Sequence, residues 1–272
     1  MMRQKLTFHQ WVSFFRRTAW AYLGAGRRAP RRHEIPHGPS IKVITYNLNY
    51  DLPAAGRTIR AIQEANADVV CLQETNPQWE KLLRNALGER YSEMFFQHRG
   101  KASGMAMLSK LPTRQVPLTS RSCRCPAQLV EVDSPLGKIQ FLNVHLTPPG
   151  NAAGRLTPTA FIATLKVRLD EIQELFQYLH AGVAAVAAGD FNEGDWGLAV
   201  GWLHRRGLTD ALGQFDRHGS TWRMVMYGLL TLRDRLDHIF YSPHLDCPSA
   251  KVLRAGGSDH LPVVTVLRDA KR

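Results

Sequence analysis

Beyond residue 40 the chain alternates short apolar runs of strand period with stretches of helical spacing, and this alternation limits the possible folds more than any other feature. Ile41–Leu48 carries apolar side chains at every second place, the period of a half-buried strand. Thr58–Ala65 has the helical spacing Ile59, Ile62, Ala65. Asp68–Leu72 reads as a short buried strand, and Trp79, Leu82, Leu83 and Leu87 mark a second helix closed by Gly88. Strands follow at Tyr91–Gln97, Met105–Ser109, Gln128–Asp133 and Lys138–His145, the last two joined as a hairpin by Ser134-Pro135-Leu136-Gly137. Pro158–His180 reads as a long amphipathic helix between a Thr157 cap and Gly182, and Val183–Ala188 as a buried strand. Leu236–Tyr241, Ala250–Leu253 and Pro262–Leu267 close the pattern as strands. Hairpins mixed with β-α-β units require mixed sheets. Two mixed β-sheets packed face to face, with helices outside, would bury these runs in an α/β domain.

The first part of the chain differs. Residues 1–33 hold eight Lys/Arg and no acid, two thirds of the formal excess of +12. Phe8, Trp11, Val12, Phe15, Ala19, Tyr22 and Leu23 fall on one helical face, with Arg16 and Arg17 off it. These two arginines split the apolar stretch, which argues against a secretory signal peptide. Such a helix either lies on an anionic membrane surface, or packs on the main body or stays loosely ordered with its arginines solvated. Arg27–Ser40, with three prolines, reads as a linker. The expected division is residues 1–39 as a basic amphipathic tail and linker, and residues 40–272 as one catalytic-sized domain.

Composition removes several classes. A chain of 272 residues that is 44% hydrophobic and 21% charged is too apolar for disorder and long enough for a large core. No stretch of 18 uncharged apolar residues exists to span a membrane. Four cysteines are too few for a disulfide framework. Cys123 and Cys125 have no second pair to complete a zinc site. All four are expected as reduced thiols in a cytoplasmic protein, with a peripheral place at the inner face of the membrane as the variant reading.

The informative residues are polar ones at the ends of apolar strands: Asn47, Glu74, His145, Asp190, Asn192, Asp237, Asp259 and His260. Singly, each has an ordinary explanation as a turn former or a solvated side chain. Together they supply oxygen ligands, carboxamides and two histidines, the donor types that a hard divalent cation and a phosphoryl group require.

The segments TYNL at 45–48, LQET at 72–75, NVHL at 143–146, GDFN at 189–192, RLDHIF at 235–240 and SDHLP at 258–262 resemble the endonuclease/exonuclease/phosphatase superfamily of DNase-like metal-dependent phosphoesterases. All six stand in the family order. The resemblance implies a four-layer α/β sandwich, with Mg²⁺ as the cofactor and Mn²⁺ able to substitute. It implies Glu74 as the principal metal ligand, Asn47 as its carboxamide support and Asp259 as a metal-side acid. Asp190 would hold or deprotonate the attacking water, with Asn192 orienting it. His260 would contact the phosphate with Asp237 as its partner, and His145 would face it from the other side. Asn49 stands where apurinic-site nucleases of the family carry an acid, which weakens a second metal contact. No acidic partner for His145 is evident, with Glu131 and Asp133 as candidates. His238 stands where an aromatic residue is common, and reads as a packing residue.

The superfamily does not fix the substrate. Gly104 would let a phosphate approach closely or simply form a tight turn. The loop Pro148–Arg155 offers one base, Arg155. Glu193–Arg233 offers Trp196, Trp202, Trp222, Arg205, Arg206 and Arg223, which would suit stacking and phosphate contact, unless Trp202 and Trp222 are core residues. The leading expectation is a monomeric nuclease acting on DNA or another phosphodiester. The alternative is a phospholipid or inositol-phosphate phosphoesterase at a membrane surface, reached through residues 1–33. A binding module that has lost the chemistry is a third, weakened by the complete motif set.

Overall fold

A computed structural model describes residues 30–34, 38–52, 54–120, 122–150, 158–216, 219–226 and 230–270. The tail stripe, Arg155 and the Thr157 cap lie outside the described residues. The chain divides into two units at residues 30 and 31, and every described strand and helix belongs to the second.

Its elements begin β1 (Ile41–Asn47), α1 (Ala55–Ala65), β2 (Val69–Thr75), α2 (Pro77–Leu87), β3 (Glu93–Gln97), β4 (Gly104–Ser109) and β5 (Thr113–Val116). They continue with β6 (Gln128–Ser134), β7 (Gly137–His145), α3 (Pro158–Phe176), β8 (Ala184–Asp190), α4 (Leu198–Arg205), β9 (Thr209–Asp210) and α5 (Ala211–Phe215). The last are β10 (Trp222–Met226), β11 (Leu230–Asp234), β12 (Asp237–Tyr241), β13 (Leu245–Val252) and β14 (Val263–Asp269). One six-stranded sheet has the order β13-β14-β1-β2-β4-β3 and the other β5-β6-β7-β8-β12-β9, while β10-β11 forms a two-stranded sheet of its own. Both large sheets are mixed: β1 runs parallel to β2 and β7 to β8, and the other neighbours are antiparallel.

The period of two explains the layers. Ile41 and Val43 of β1, Val69 and Cys71 of β2, Ile139 and Phe141 of β7, and Val186 and Ala188 of β8 meet in one core. The intervening Ile44, Tyr46, Val70 and Leu72 face α1 and α2, packing on Ile62, Trp79 and Leu83. Leu142, Val144 and Ala187 face α3 and α4, packing on Ile172, Leu175 and Leu203. The result is the four-layer sandwich, helices outside two facing sheets.

One buried polar patch interrupts the central core. Gln73 Nε2 donates to Asn143 Oδ1 at 2.8 Å and to Thr45 Oγ1 at 3.2 Å. Asn143 Nδ2 donates to the carbonyls of Leu72 and Ala106 and to Gln128 Oε1. The network joins the two sheets one pleat below the polar strand ends and fixes their relative position. Elsewhere, Arg31 and Glu34 of the linker stretch bond to Gln214, Asp246, Pro248 and Arg268. All four cysteines are buried free thiols. No described helix is long and apolar enough to cross a membrane.

Candidate active site

The parity that builds the core also aims the polar strand ends. Continuing the inward positions of β1, β7, β8 and β12 by two residues at a time reaches Asn47, His145, Asp190 and Asp237. The strand register sets His145 opposite Asp190 and Asp190 opposite Asp237, so three functional side chains form one row across β7, β8 and β12. From the facing sheet, Asn47 Nδ2 donates to Asp190 Oδ2 at 3.0 Å and to Glu74 Oε1 at 3.1 Å.

Glu74 breaks the parity rule. Outward positions on β2 are 70 and 72, and strict alternation would send residue 74 to the helical layer. The register instead shifts between Gln73 and Thr75, and Glu74 adopts φ +57°, the left-handed region that most side chains avoid. The bulge turns its carboxylate to Asn47 and to the Tyr50 amide at 3.3 Å. Gly104 pairs with Thr75 across this bulge. A Cβ on Gly104 would lie 1.9 Å from the Thr75 carbonyl oxygen, so the bulge can form only against a glycine.

His260 arrives on the loop after β13. The loop is anchored by Tyr46, whose hydroxyl accepts from the Ser258 amide at 3.3 Å, and by Thr58, which accepts from the Gly257 amide at 3.1 Å. His260 Nδ1 donates to Asp237 Oδ2 at 2.8 Å, and its Nε2 lies 3.7 Å from Asp190 Oδ2. Thr221 ties the pair together: its Oγ1 accepts from the Asp237 amide at 3.0 Å, and its carbonyl accepts from the Leu261 amide at 2.6 Å. Burial opposes protonation of His260, but Asp237, Asp190 and Asp259 outweigh it and push its pKa up to about 10. His145 Nε2 also lies 3.7 Å from Asp190 Oδ2. Burial would lower its pKa, yet the neighbouring Cys125, Asp190 and Glu74 push it up to about 9. Both rings flank one carboxylate, in surroundings that favour their charged forms. Asp190 Oδ1 accepts from the Asn192 amide at 2.9 Å, and Asn192, itself at φ +52°, donates through Nδ2 to the Leu146 carbonyl at 2.9 Å.

A clamp that the sequence did not reveal holds the loops beneath. On α3, Arg168 Nε donates to Glu193 Oε2 at 3.0 Å and Nη1 to the Thr147 carbonyl at 3.0 Å. Glu171 accepts from the amide and hydroxyl of Thr147 and from the Arg124 amide. Arg168, Glu171 and Glu193 are fully buried. One helix thus fixes the segments after His145 and after Asn192, and the one that carries Cys125.

The other expected residues fall at the rim or away from it. Asp259 is exposed at the rim, accepting from Asn49 Nδ2 at 3.1 Å and from Trp222 Nε1 at 3.2 Å. Glu131 and Asp133 do not serve His145. They pair with Arg114 and Lys138 at the far side of the β6–β7 hairpin, because the register sets both near its turn. Trp202 packs edge-on against Phe176 under the Arg206 guanidinium, away from the row, whereas Trp222 meets the site. His238 is fully buried between Asp210 and the Glu193 and Arg235 carbonyls.

Among the described residues, two groups of three have possible ligand atoms within 4.8 Å: Asp190, Asp237 and His260, and Asp195, Asp210 and His238. The second already holds a cation, since Arg235 pairs with both Asp195 and Asp210. Glu74 belongs to neither group but stands beside the first, where the neutral Asn47 amide bridges it to Asp190, and Asp237 Oδ1 is buried without a partner. Carboxylate oxygens gathered without a lysine or arginine fit a hard divalent cation.

Carboxylates and two imidazoles gathered at the rim between the two mixed sheets of a four-layer sandwich are the arrangement of the superfamily of metal-dependent phosphoesterases. The sequence model for the Endonuclease/Exonuclease/phosphatase family matches residues 44–260, and the chain belongs to that family. The fold is similar to an endonuclease/exonuclease/phosphatase from Beutenbergia cavernae, at 22% identity and TM-score 0.66 over 85% of this chain and 72% of that one. It is also similar to an AP endonuclease from Archaeoglobus fulgidus, at 18% identity and TM-score 0.64 over 83% and 98% of the two chains. A truncated TDP2 from Caenorhabditis elegans matches at 18% identity and TM-score 0.62 over 84% and 97%. No curated protein matches the chain.

Proposed function

We propose that the chain is a Mg²⁺-dependent phosphodiesterase that hydrolyses its substrate by in-line attack of water. The observation that carries this reading is the row His145–Asp190–Asp237 with His260 closed against it. Glu74, with Asn47 and Asp259 in support, would hold a divalent cation, which would supply Lewis-acid charge at the phosphoryl oxygens. Asp190 is the one carboxylate both rings share, so it is suited to orient and deprotonate a water, while Asn192 fixes its other oxygen through the backbone. His145 and His260, both held protonated, are suited to donate to the equatorial oxygens as charge builds there. Asp237 keeps the His260 ring oriented and charged.

The test uses the full chain and bis-p-nitrophenyl phosphate, a small diester that needs no macromolecular docking. Mg²⁺ should support turnover and EDTA abolish it. Glu74→Gln should lower kcat by about 10²-fold or more, the scale of losing one strong electrostatic group. Full activity in EDTA would refute the metal mechanism.

For the natural substrate, the nuclease reading draws support from the names of two fold neighbours, the AP endonuclease and TDP2. At under 20% identity these carry the fold rather than the substrate.

A further inference from the structure

β1 ends in two residues that act on opposite sides of its sheet. Asn47 points into the gap between the sheets, where it bridges Glu74 and Asp190. Tyr46, one residue earlier, points by alternation to the outer layer, and it is fully buried there with Ile62, Trp79 and Leu83. A hydroxyl in such a layer is costly unless it is hydrogen-bonded. The partner of this one is the arm between β13 and β14, whose Ser258 amide donates to it at 3.3 Å. Gly256 passes so close that a Cβ there would lie 2.1 Å from the Tyr46 oxygen, and its φ of +105° is one that other residues rarely adopt. On the same side α1 contributes Thr58, also fully buried, whose hydroxyl accepts from the Gly257 amide at 3.1 Å. Ser258 Oγ in turn accepts from the His260 amide at 3.1 Å. Gly256, Gly257 and Ser258 are thus moulded on two hydroxyls that lie outside the site, and the next link reaches His260.

We propose that Tyr46 is the positioning residue of His260: its hydroxyl, with Thr58 beside it, fixes the arm so that the His260 ring reaches Asp237 and Asp190. The arm needs such a hold, because two successive glycines leave it more freedom to lose than any other sequence would. Among the described residues, the hydrogen bonds from 254–258 to the rest of the protein are those to Tyr46 and Thr58. The other holds come later in the arm. The Arg223 amide donates to the Asp259 carbonyl and the Leu261 amide to the Thr221 carbonyl. Asn49 Nδ2 and Trp222 Nε1 donate to the Asp259 carboxylate. Asp259 is therefore gripped without Tyr46, whereas the approach to His260 is not. The cost of a loose arm is steep, since a shift of about 1 Å at a reacting group can cost about 10²-fold in rate. One strand end thereby sets both halves of the rim, Asn47 for the carboxylates and Tyr46 for the imidazole that closes against them. The role in turnover rests on the phosphoesterase reading. The anchoring of the arm does not.

Two measurements on the full chain keep these apart. The first is hydrogen exchange of the backbone amides over residues 254–261. Tyr46→Phe, which removes one oxygen, should quicken exchange there several-fold and leave β7 with its His145 end as in wild type. The second is turnover of bis-p-nitrophenyl phosphate with Mg²⁺. Tyr46→Phe should lower kcat by about 10-fold with KM little changed, the mark of an interaction that counts only in the transition state. In a His260→Ala background the same change should cost less than about 2-fold, because no ring is left to place. A general loosening of the fold would cost the same factor in both backgrounds. The Mg²⁺ concentration for half activity should stay at the wild-type value, since Asp259 keeps Asn49 and Trp222. Wild-type exchange over 254–261 in the variant overturns the anchoring. Quickened exchange with an unchanged kcat, or with equal losses in both backgrounds, overturns the positioning role. A wild type that does not turn over the diester sinks the phosphoesterase reading, and the exchange result still decides the anchoring. If Tyr46→Phe does not fold, Thr58→Val, which takes away the Gly257 acceptor alone, is read by the same two measurements with the same outcomes.

Discussion

Asp210→Asn tests the electrostatic account of the second acidic cluster. Asp210 is buried, with Oδ2 3.3 Å from both Arg235 Nη2 and His238 Nδ1. Burial pushes its pKa up, but the Arg235 and His238 charges win and bring it from 3.8 to about 2. A depressed carboxylate contributes stability above its unfolded value, and that contribution fades as pH falls from about 4 to about 2. Just under two pH units at about 1.4 kcal/mol each makes the contribution about 2 kcal/mol at neutral pH. The amide removes that and also leaves the buried Arg235 with Asp195, whose side chain is 42% exposed, as its remaining ion-pair partner. Breaking one side of a buried pair costs about 3–5 kcal/mol. For a domain of this size that is a drop of about 6–20 °C in Tm. Urea unfolding at pH 7, 5, 4 and 3.5 reads the difference between wild type and variant. It should be widest at pH 7 and 5, and begin to narrow at pH 4 and 3.5 as the carboxylate of the unfolded wild-type chain takes up its proton. A gap under about 0.5 kcal/mol at pH 7, the ordinary surface effect, or one that does not change with pH, would refute the account. Activity per folded molecule should stay near wild type, because Asp210 touches none of the row His145–Asp190–Asp237.

Three further outcomes test the site and its supports. Asp237→Ala and His260→Ala should each lower kcat by about 10²-fold or more, and the double variant should lose little beyond the worse single, since the pair acts as a unit; multiplying losses would show that they act independently. Arg168→Met should destabilise the fold by about 3–5 kcal/mol by stranding the Glu193 charge, and adding Glu193→Gln should recover part of it in chemical unfolding; no recovery would mean that the ion pair is not the source of the loss. Gly104→Ala must shift the Thr75 carbonyl and so disturb the Glu74 bulge, raising the Mg²⁺ concentration for half activity while leaving the His145 and His260 geometry alone; an unchanged Mg²⁺ titration would mean that the bulge adapts.

The sequence made the strand ends legible because period-two burial is a local property: Asn47, His145, Asp190 and Asp237 stand where alternation continues past the apolar run. It hid whatever depends on pairing between distant segments. The Glu74 bulge is invisible without its β4 partner, since Val-Val-Cys-Leu-Gln-Glu-Thr reads as an unbroken strand. Arg168 and Glu171 sit inside a helix whose apolar spacing gave no reason to bury two charges, and their partners lie on other loops. The β5 strand, Thr-Arg-Gln-Val, is a polar edge with no pattern to find. The β10–β11 hairpin carries apolar residues on both strands, so its composition looked like connecting loop around a core tryptophan. Glu131 and Asp133 were close to His145 in sequence and far from it in register.

These pieces give one physical reason for where the site lies. A gap between two sheets is the driest place on a sandwich's rim, and there the charges act through a low dielectric. Filling it with Asp190, Asp237 and Glu74 is costly, and the fold offsets that cost with three devices: the Gln73–Asn143 network that stops the sheets from sliding, the α3 clamp that fixes both loops, and two imidazole rings set against the carboxylates. What stays unbalanced is Asp237 Oδ1 and His145 Nδ1, each buried without a hydrogen-bond partner, and the Glu74–Asp190 pair bridged by a neutral amide. The preference for a cation therefore lies in the carboxylates gathered there before any substrate arrives, and the left-handed turn at Glu74 is the local strain that positions one of them.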